Sequence, residues 1–181
     1  MNSKKTLKVV LLCLCVVCGL TACELEYTPP DGGASLGDND DSTIIGDENG
    51  RVVSVIDGDT IDVEIDGTVY RVRYVGVNTP ERSESCYSEA RRANIDLVEG
   101  QTVTLVRDRS ATDRYDRLLR YVYVGNTFVN AELIRNGYAE VVLYQPDDAQ
   151  FDFFVDLERD ATDANAGCHA SGIFDDGTYE R

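Results

Sequence analysis

The sequence predicts an α+β fold, mainly β, in which five strands form a small barrel and about three α-helices pack against it. Apolar and polar residues alternate in five short stretches, which is the period of a half-buried strand. Stretches with the helical spacing of apolar residues come only after the third strand, which favours helices packed against a barrel. The 181 residues have room for one such domain plus an extension.

The first three strands lie within residues 53–77, where valine and isoleucine recur at about every second position. Asp57 and Asp59 occupy the turn between the first and second strands. Asp66-Gly67 is typical of a tight hairpin turn between the second and third. The third strand leads into the polar segment at residues 78–81.

Two more strands alternate with three helices in the rest of the chain. An aspartate after Pro146, either Asp147 or Asp148, is expected to cap the last helix, which ends near Ala166. The predicted elements are a helix over Tyr87–Glu99, strands over Gln101–Arg107 and Leu118–Val124, a helix over Val129–Asn136 and the last helix. The last helix has a predicted buried side formed by Phe151, Phe154, Val155, Leu157, Ala161 and Ala164.

Residues 1–23 have the features of an export signal. Three lysines precede an apolar run of 12 residues, too short for the roughly 20 residues that span a bilayer. Leu20-Thr21-Ala22-Cys23 resembles the lipobox of bacterial lipoproteins, which implies cleavage before Cys23 and acylation of its sulfur. An ordinary signal peptide with a fortuitous cysteine is the alternative. Either interpretation predicts that the folded part works outside the cytoplasm.

Residues 24–50 are rich in Gly, Asp, Ser and Pro and are predicted to be a disordered acidic tether. The folded domain is predicted to occupy residues 51–176. Two of the six cysteines, Cys86 and Cys168, fall within it, and an oxidising compartment favours a disulfide between them. Two free buried thiols are the alternative, and a zinc site is disfavoured because the chain has a single histidine.

The chain is strongly acidic. All three lysines lie in the predicted signal, so the remainder has 14 arginines against 33 acidic residues, a net charge of −19. Such a surface repels nucleic acid at long range. The charge is uneven, however, because residues 71–120 contain ten arginines and eight acidic residues, and this net-positive third includes Arg73 and Arg117.

Four side chains near the ends of the first three strands form a candidate phosphodiester site. If the strands pair, one neighbourhood contains Asp59, Arg73, Asn78 and Glu81. Carboxylate and amide oxygens are ligands for a hard cation, and a guanidinium group is a planar donor fork that matches a phosphate. Considered by itself, Asp57-Gly58 would be interpreted as a plain turn. Considered by itself, Arg73 would be interpreted as an exposed residue that pairs with a neighbouring strand. Their combination favours a functional site.

Three segments resemble the staphylococcal nuclease-like (thermonuclease) family in order and spacing: DGDT at 57–60, RYVGVNTPE at 73–81 and TDRYDR at 112–117. The resemblance extends from about Val52 to Phe174. It implies an OB-fold barrel and Ca²⁺-dependent hydrolysis of DNA and RNA.

The resemblance also implies roles for individual residues. Asp59 takes the place of a calcium-binding aspartate, and Thr79 that of a residue that binds calcium through its backbone carbonyl. Glu81 corresponds to the glutamate that orients or deprotonates the attacking water. Arg73 and Arg117 correspond to the two arginines that bind the phosphate, where guanidinium groups stabilise the charge that develops during in-line attack.

Asn78 departs from the family pattern, because the best-known members carry a second calcium-binding aspartate there. An amide oxygen still ligates Ca²⁺, but the site loses a formal charge, so we expect weaker affinity or a changed ion preference. Asp57 is expected to compensate from the outer shell. On this basis Asn78→Asp is expected to tighten Ca²⁺ binding.

Several other residues have open interpretations. Tyr115 and Tyr144 are candidates for contacting phosphate or stacking on a base, and equally for structural aromatics at the barrel rim. His169 is expected at the surface or at a helix end. The Arg91-Arg92 pair is expected on a solvated helix face.

The sequence therefore predicts a Ca²⁺-dependent nuclease that acts on DNA, RNA or both outside the cytoplasm, as a monomer held at the membrane by lipid on Cys23. A catalytically weak nucleic-acid-binding OB-fold lipoprotein is the first alternative, and a structural lipoprotein of the envelope is the second. The joint presence of Glu81, Arg73 and Arg117 favours the enzyme, since a pure binder has no need for the glutamate. The preference for DNA or RNA and the mode of attack stay open.

Overall fold

A closed five-stranded barrel forms the centre of the fold, as the sequence predicts. The computed structural model describes residues 47–174 and Tyr179, so the predicted signal peptide, Cys23 and most of the predicted tether lie outside the described residues. The barrel strands are β1 (Glu48–Val55), β2 (Thr60–Ile65), β3 (Thr68–Tyr74), β5 (Thr102–Val106) and β6 (Leu118–Val124). They run in the order β3-β2-β1-β5-β6, and a parallel pairing of β3 with β6 closes the ring.

Three short strands complete the sheet structure. β7 (Thr127–Phe128) extends β6, while β4 (Val77–Asn78) and β8 (Glu140–Val141) pair antiparallel in a separate small sheet. The sequence predicts a single third strand that continues through Val77, whereas the structure ends β3 at Tyr74 and pairs β4 with β8, a pairing that the sequence does not predict. Two-residue strands carry no detectable period, so only the tertiary fold brings β4 and β8 together.

The first strand begins earlier than predicted. Residues 48–51 pair with Thr102–Leu105 of β5, so the last three residues of the predicted tether belong to the barrel. The predicted hairpin is present at Asp66-Gly67, where both residues have positive φ (49° and 80°). That turn sets the β2–β3 register, which places Arg73 directly opposite Thr60, the neighbour of Asp59.

In the part of the chain that the structure describes, three α-helices pack against the barrel, at positions close to the predicted ones. They are α1 (Tyr87–Val98), α2 (Val129–Arg135) and α3 (Phe151–Asp163), and a short 3₁₀ helix follows at Gly167–Ser171. Phe154 and Ala161 form the buried side of α3, whereas Ala164, predicted to be buried, is exposed. The predicted cap of α3 is wrong: the helix begins after Gln150, with no side-chain cap.

The barrel interior is filled by branched aliphatic side chains. Ile61, Val63, Val72, Leu105 and Val122 are each completely buried. Phe154 of α3 covers one end of this core and packs against Gly76, where an added Cβ would lie 2.9 Å from the ring. Gly76 also has φ +75°, so the chain between β3 and β4 requires glycine for two reasons.

No helix among the described residues combines the length and the apolar character that a membrane span needs.

The predicted pairing of Cys86 with Cys168 is present as a disulfide. It links the N-terminus of α1 to the 3₁₀ helix, which lies 82 residues later in the sequence. His169, next to this bond, lies at a helix end as expected, but it is buried rather than on the surface.

The two neighbouring arginines of α1 behave differently. Arg92 is exposed and pairs with Asp96, as expected of a solvated helix face. Arg91 instead donates to the backbone carbonyls of Val55 and Ile56 (2.9 and 3.1 Å), so the prediction of a solvated pair is wrong for this residue. Its guanidinium fixes α1 against the end of β1, immediately before Asp57.

Candidate active site

Asp59 and Arg73 form a buried ion pair at the end of β3. Asp59 Oδ1 lies 3.1 Å from Arg73 Nη1, and the two side chains are only 7% and 10% exposed. The backbone brings them together, because the N–H of Tyr74 donates to the carbonyl of Asp59 (2.9 Å). The contact predicted between the acidic turn and the third strand is therefore present.

Asp59 also fixes the segment that follows β4. Its Oδ2 accepts hydrogen bonds from the backbone N–H and the hydroxyl of Thr79 (2.8 and 2.9 Å), and its Oδ1 accepts one from Thr60 Oγ1 (3.1 Å). Gly58 makes this approach possible, since an added Cβ there would lie 2.6 Å from Thr79 Oγ1. The DGDT and NTPE motifs are thus one packed unit.

Arg73 is held by hydrogen bonds on both sides of its guanidinium. Nη1 donates to the carbonyls of Tyr74 and Val77 (3.0 and 2.9 Å), and Nη2 lies 3.4 Å from Asn78 Oδ1. The planar group therefore has a fixed orientation, which is what pre-organised recognition of a phosphate requires.

Asp57 gives the turn a second carboxylate. Its Oδ1 accepts a hydrogen bond from the N–H of Asp59 (3.2 Å). Burial and then the nearby Asp59 carboxylate raise the pKa of Asp57 from 3.8 to about 6. Asp57 and Asp59 thus place two carboxyl groups in the same turn.

The oxygen atoms of this turn suit a hard divalent cation. Asp59, the Asn78 amide and the Thr79 carbonyl are oxygen donors of the kind that Ca²⁺ prefers, with Asp57 as a second carboxylate close by. A bound cation would stabilise the ionised form of both carboxylates. Among the described residues, no three His, Cys, Asp or Glu side chains form a metal-binding group, so such a site would depend largely on neutral oxygens.

Arg73 and Arg117 line the same cleft, which has a volume of about 450 Å³. Tyr115 and Tyr144, 62% and 38% exposed, lie on its walls. The guanidinium of Arg117 is 5.5 Å from the centre of the Tyr115 ring. The structure therefore brings together both predicted phosphate-binding arginines and both candidate aromatic residues.

The TDRYDR segment folds around Asp113. Its Oδ1 accepts the backbone N–H groups of Tyr115 and Arg117 (2.9 and 3.0 Å), and its Oδ2 accepts from Arg117 Nε (2.6 Å). Burial alone would raise the pKa of Asp113, but these hydrogen bonds and the Arg117 charge lower it below its ordinary value. Asp113 thus sets the position of both Tyr115 and Arg117 at the cleft.

Asp147, one of the two residues that the sequence offered as a helix cap, joins the two walls of the cleft instead. Its buried Oδ1 accepts the N–H groups of Arg109 and Ser110 (2.9 and 2.7 Å). Its own N–H donates to the carbonyl of Tyr144 (2.6 Å). The loop that leads to Tyr115 is thereby attached to the loop that carries Tyr144.

Glu81 lies beside this arrangement rather than within it. It is exposed on the loop after Thr79-Pro80, its N–H donates to Glu84 Oε2 (2.6 Å), and it is not among the residues that line the cleft. The backbone nonetheless places it two residues beyond Thr79, which contacts Asp59 directly.

Glu140 is a site residue that the sequence-based interpretation missed. It is 3% exposed, and its Oε1 accepts a hydrogen bond from Asn78 Nδ2 (2.8 Å). The signal in the sequence was a glutamate within the otherwise apolar run Ala139–Leu143. Its partner could not be identified without the β4–β8 pairing, in which Asn78 lies opposite Glu140.

Comparisons with known proteins identify the family of the chain. Residues 71–169 match the family model described as staphylococcal nuclease homologue. The chain is 35% identical over 119 residues to a thermonuclease of Staphylococcus intermedius, and the match covers 59% of this chain and 67% of that protein. It is 39% identical over 114 residues to the SPbeta prophage-derived endonuclease YokF of Bacillus subtilis (59% and 38% covered). It is 36% identical over 115 residues to a micrococcal nuclease of Shigella flexneri (58% and 65% covered).

Proposed function

Because the chain belongs to the staphylococcal nuclease homologue family, we propose that it hydrolyses phosphodiester bonds of DNA, RNA or both with the help of one divalent cation. Ca²⁺ is the proposed cation. The observation that carries the proposal is that Arg73 and Arg117 line one cleft, with Asp59 in direct contact with Arg73. Relatives named thermonuclease and endonuclease support the same reaction class.

The two arginines would bind the scissile phosphate. Attack on phosphorus raises the negative charge on the phosphoryl oxygens, and groups that bind the more charged state lower the barrier. A guanidinium group presents paired N–H donors and stays protonated, so it suits this task better than an ammonium group. Arg73 is already held in one orientation by the carbonyls of Tyr74 and Val77, which lowers the cost of binding.

Glu81 would act as the general base. It takes a proton from the attacking water while the water oxygen forms a bond to phosphorus and one ester P–O bond breaks, with its electrons leaving on the departing oxygen. General-base catalysis contributes about 10²–10⁴ in rate. The exposed loop that carries Glu81 is next to Thr79, so the base and two of the three proposed cation ligands, Asn78 and Thr79, belong to one continuous segment.

Asp59, the Asn78 amide oxygen and the Thr79 carbonyl would hold the cation. A divalent cation supplies Lewis acidity at a phosphate oxygen and lowers the pKa of a coordinated water. Tyr115 and Tyr144 would contact the phosphate or stack on a nucleotide base at the mouth of the cleft, where their rings are exposed.

We also propose that the protein acts outside the cytoplasm as a monomeric lipoprotein anchored through Cys23. Support comes from the lipobox-like sequence at 20–23 and from the Cys86–Cys168 disulfide, which is the kind of bond that persists in oxidising compartments. Metabolic labelling with a radioactive fatty acid tests the anchor: label should enter the wild-type protein and be absent from Cys23→Ala. Equal labelling of both would disprove it.

Digestion of plasmid DNA and of an RNA substrate tests the catalytic proposal. Reactions should contain Ca²⁺ or EDTA, at low and moderate salt, because the acidic surface repels nucleic acid less when salt screens it. We expect cleavage with Ca²⁺, none with EDTA, and strongly reduced cleavage by Glu81→Gln. Cleavage that survives EDTA would contradict the cation role. Binding without cleavage in every condition would favour the alternative, a catalytically weak nucleic-acid-binding lipoprotein.

A further inference from the structure

Asn78 and Glu140 form a buried polar pair next to the proposed cation ligands. The two residues are 6% and 3% exposed, and Asn78 Nδ2 lies 2.8 Å from Glu140 Oε1. They lie opposite each other in the β4–β8 ladder, so the backbone pairing itself sets their contact. Two further hydrogen bonds hold this segment, from Val141 N–H of β8 to Glu158 Oε1 (2.7 Å) and from the N–H of Val142, directly after β8, to the Gly76 carbonyl (3.1 Å).

The neighbours of Asn78 determine which way its amide points. The Oε1 atom of Glu140 accepts the hydrogen bond from Asn78 Nδ2, so Glu140 faces the NH₂ end of the amide. A guanidinium only donates, so Arg73 Nη2, 3.4 Å away, must face the oxygen end. Both neighbours therefore select the same orientation. Oδ1 faces Nη2 of Arg73, and Asp59 contacts Nη1 of the same guanidinium group.

We propose that Glu140 is a positioning residue for the cation site: it holds the Asn78 amide with Oδ1 toward that site and supplies the carboxylate charge that Asn78 lacks. The inference rests on the proposed function, because it assumes that the oxygens of Asp59, Asn78 and Thr79 bind the cation. In proteins, partners behind the direct ligands commonly change metal affinity by about 10- to 100-fold.

This arrangement reverses the expectation drawn from the sequence for Asn78→Asp. An aspartate at position 78 would place one of its carboxylate oxygens against Glu140 Oε1, where Nδ2 now donates a hydrogen bond. Two buried like charges repel each other strongly. Asn78→Asp therefore adds a negative charge to the cation ligands but also disrupts the position of residue 78. It should strengthen Ca²⁺ binding only when Glu140 is also replaced by glutamine.

Isothermal calorimetry with Ca²⁺ alone tests the proposal on the full chain. Four proteins are compared: wild type, Glu140→Gln, Asn78→Asp and the double variant. We expect Glu140→Gln to bind about tenfold more weakly than wild type. We expect Asn78→Asp to bind no more tightly than wild type, and the double variant at least about tenfold more tightly than Asn78→Asp. Tenfold tighter binding by Asn78→Asp alone, or affinity within twofold of wild type for Glu140→Gln, would overturn the proposal.

Glu158→Gln is the matched control. Glu158 also contacts β8, and this substitution also removes one carboxylate charge, but it leaves the Asn78–Glu140 contact intact. Its Ca²⁺ affinity should stay within about twofold of wild type. A loss equal to that of Glu140→Gln would mean that a general charge effect, not positioning, is responsible. Thermal denaturation of every variant in EDTA separates loss of the fold from loss of affinity.

A second readout needs no cation. In ¹⁵N-labelled protein with EDTA, the side-chain NH₂ signal of Asn78, identified by its absence in Asn78→Asp, should exchange slowly with water. Glu140→Ala should speed this exchange at least about tenfold, and an unchanged signal would overturn the positioning role. Absence of Ca²⁺ binding in all proteins would instead refute the cation part of the proposed function, and the NMR result then decides the role of Glu140 alone.

Discussion

Replacing Arg73 and Arg117 separately by alanine should abolish most activity in both cases but destabilise the fold very unequally. The Arg73 side chain is 10% exposed, pairs with a buried Asp59 and donates to two backbone carbonyls. Its removal leaves a buried carboxylate without a counter-charge and two carbonyls without this donor. Breaking a buried pair in this way costs about 3–5 kcal/mol.

Arg117 has a different environment. Its side chain is 29% exposed and pairs with Asp113 four residues before it. Ion pairs that water reaches contribute about 0–1 kcal/mol. Asp113 also keeps its hydrogen bonds from the backbone N–H groups of Tyr115 and residue 117 when the arginine is replaced, so the loop retains its shape.

Urea denaturation in EDTA measures the difference. With a dependence of about 2 kcal/mol per molar urea, Arg73→Ala should lower the unfolding midpoint by about 2 M and Arg117→Ala by less than about 0.5 M. Arg73→Lys, which retains the charge, should recover part of the stability but little of the activity, because an ammonium group lacks the planar fork. Equal midpoint shifts for the two alanine variants would refute the view that Arg73 is structural as well as functional.

Three further predictions concern the rest of the site. Glu81→Gln should lower kcat by about 10²–10⁴ without changing the melting temperature, because the side chain is exposed; activity within tenfold of wild type would exclude it as the base. The double substitution Cys86→Ser and Cys168→Ser should reduce the free energy of unfolding by about 4–5 kcal/mol, which is the chain-entropy value for the loop that this bond closes. A reduction of the free energy of unfolding below about 1 kcal/mol would show that other contacts constrain the loop. Because burial, with the Asp59 carboxylate, raises the pKa of Asp57 to about 6, the folded state retains a proton that the unfolded state has already lost. In EDTA, stability should therefore fall as the pH rises from about 4 to about 6, and Asp57→Asn should remove this decline; an identical pH profile for both proteins would contradict it.

The fold was largely predictable because its main elements have local signals. Alternation identified the five barrel strands, and helical spacing located α1 and α2 to within one residue of their observed ends. The Asp66-Gly67 turn fixed the register that brings Arg73 to Asp59. These features depend on residues close together in sequence, where period and turn chemistry are informative.

What sequence reasoning missed depends on contacts between distant segments. Glu140 meets Asn78 across 62 residues, through a ladder too short to show a period. Asp147 satisfies backbone groups 37 and 38 residues away instead of capping the helix beside it. Arg91 looks like a surface residue from its helical position, yet it donates to carbonyls 35 and 36 residues earlier. Such polar partners are chosen by the tertiary fold.

The hydrogen bonds of Asp147 have a consequence for how a polynucleotide would leave the cleft. The carboxylate and the backbone N–H of Asp147 hold the Arg109-Ser110 loop and the Tyr144 loop together. Outward movement of either loop would therefore break hydrogen bonds that also restrain the other loop. The mouth of the cleft therefore keeps a constant width and does not open and close. If the protein cleaves a polynucleotide as proposed, the product strand is expected to leave along the cleft, between Tyr115 and Tyr144.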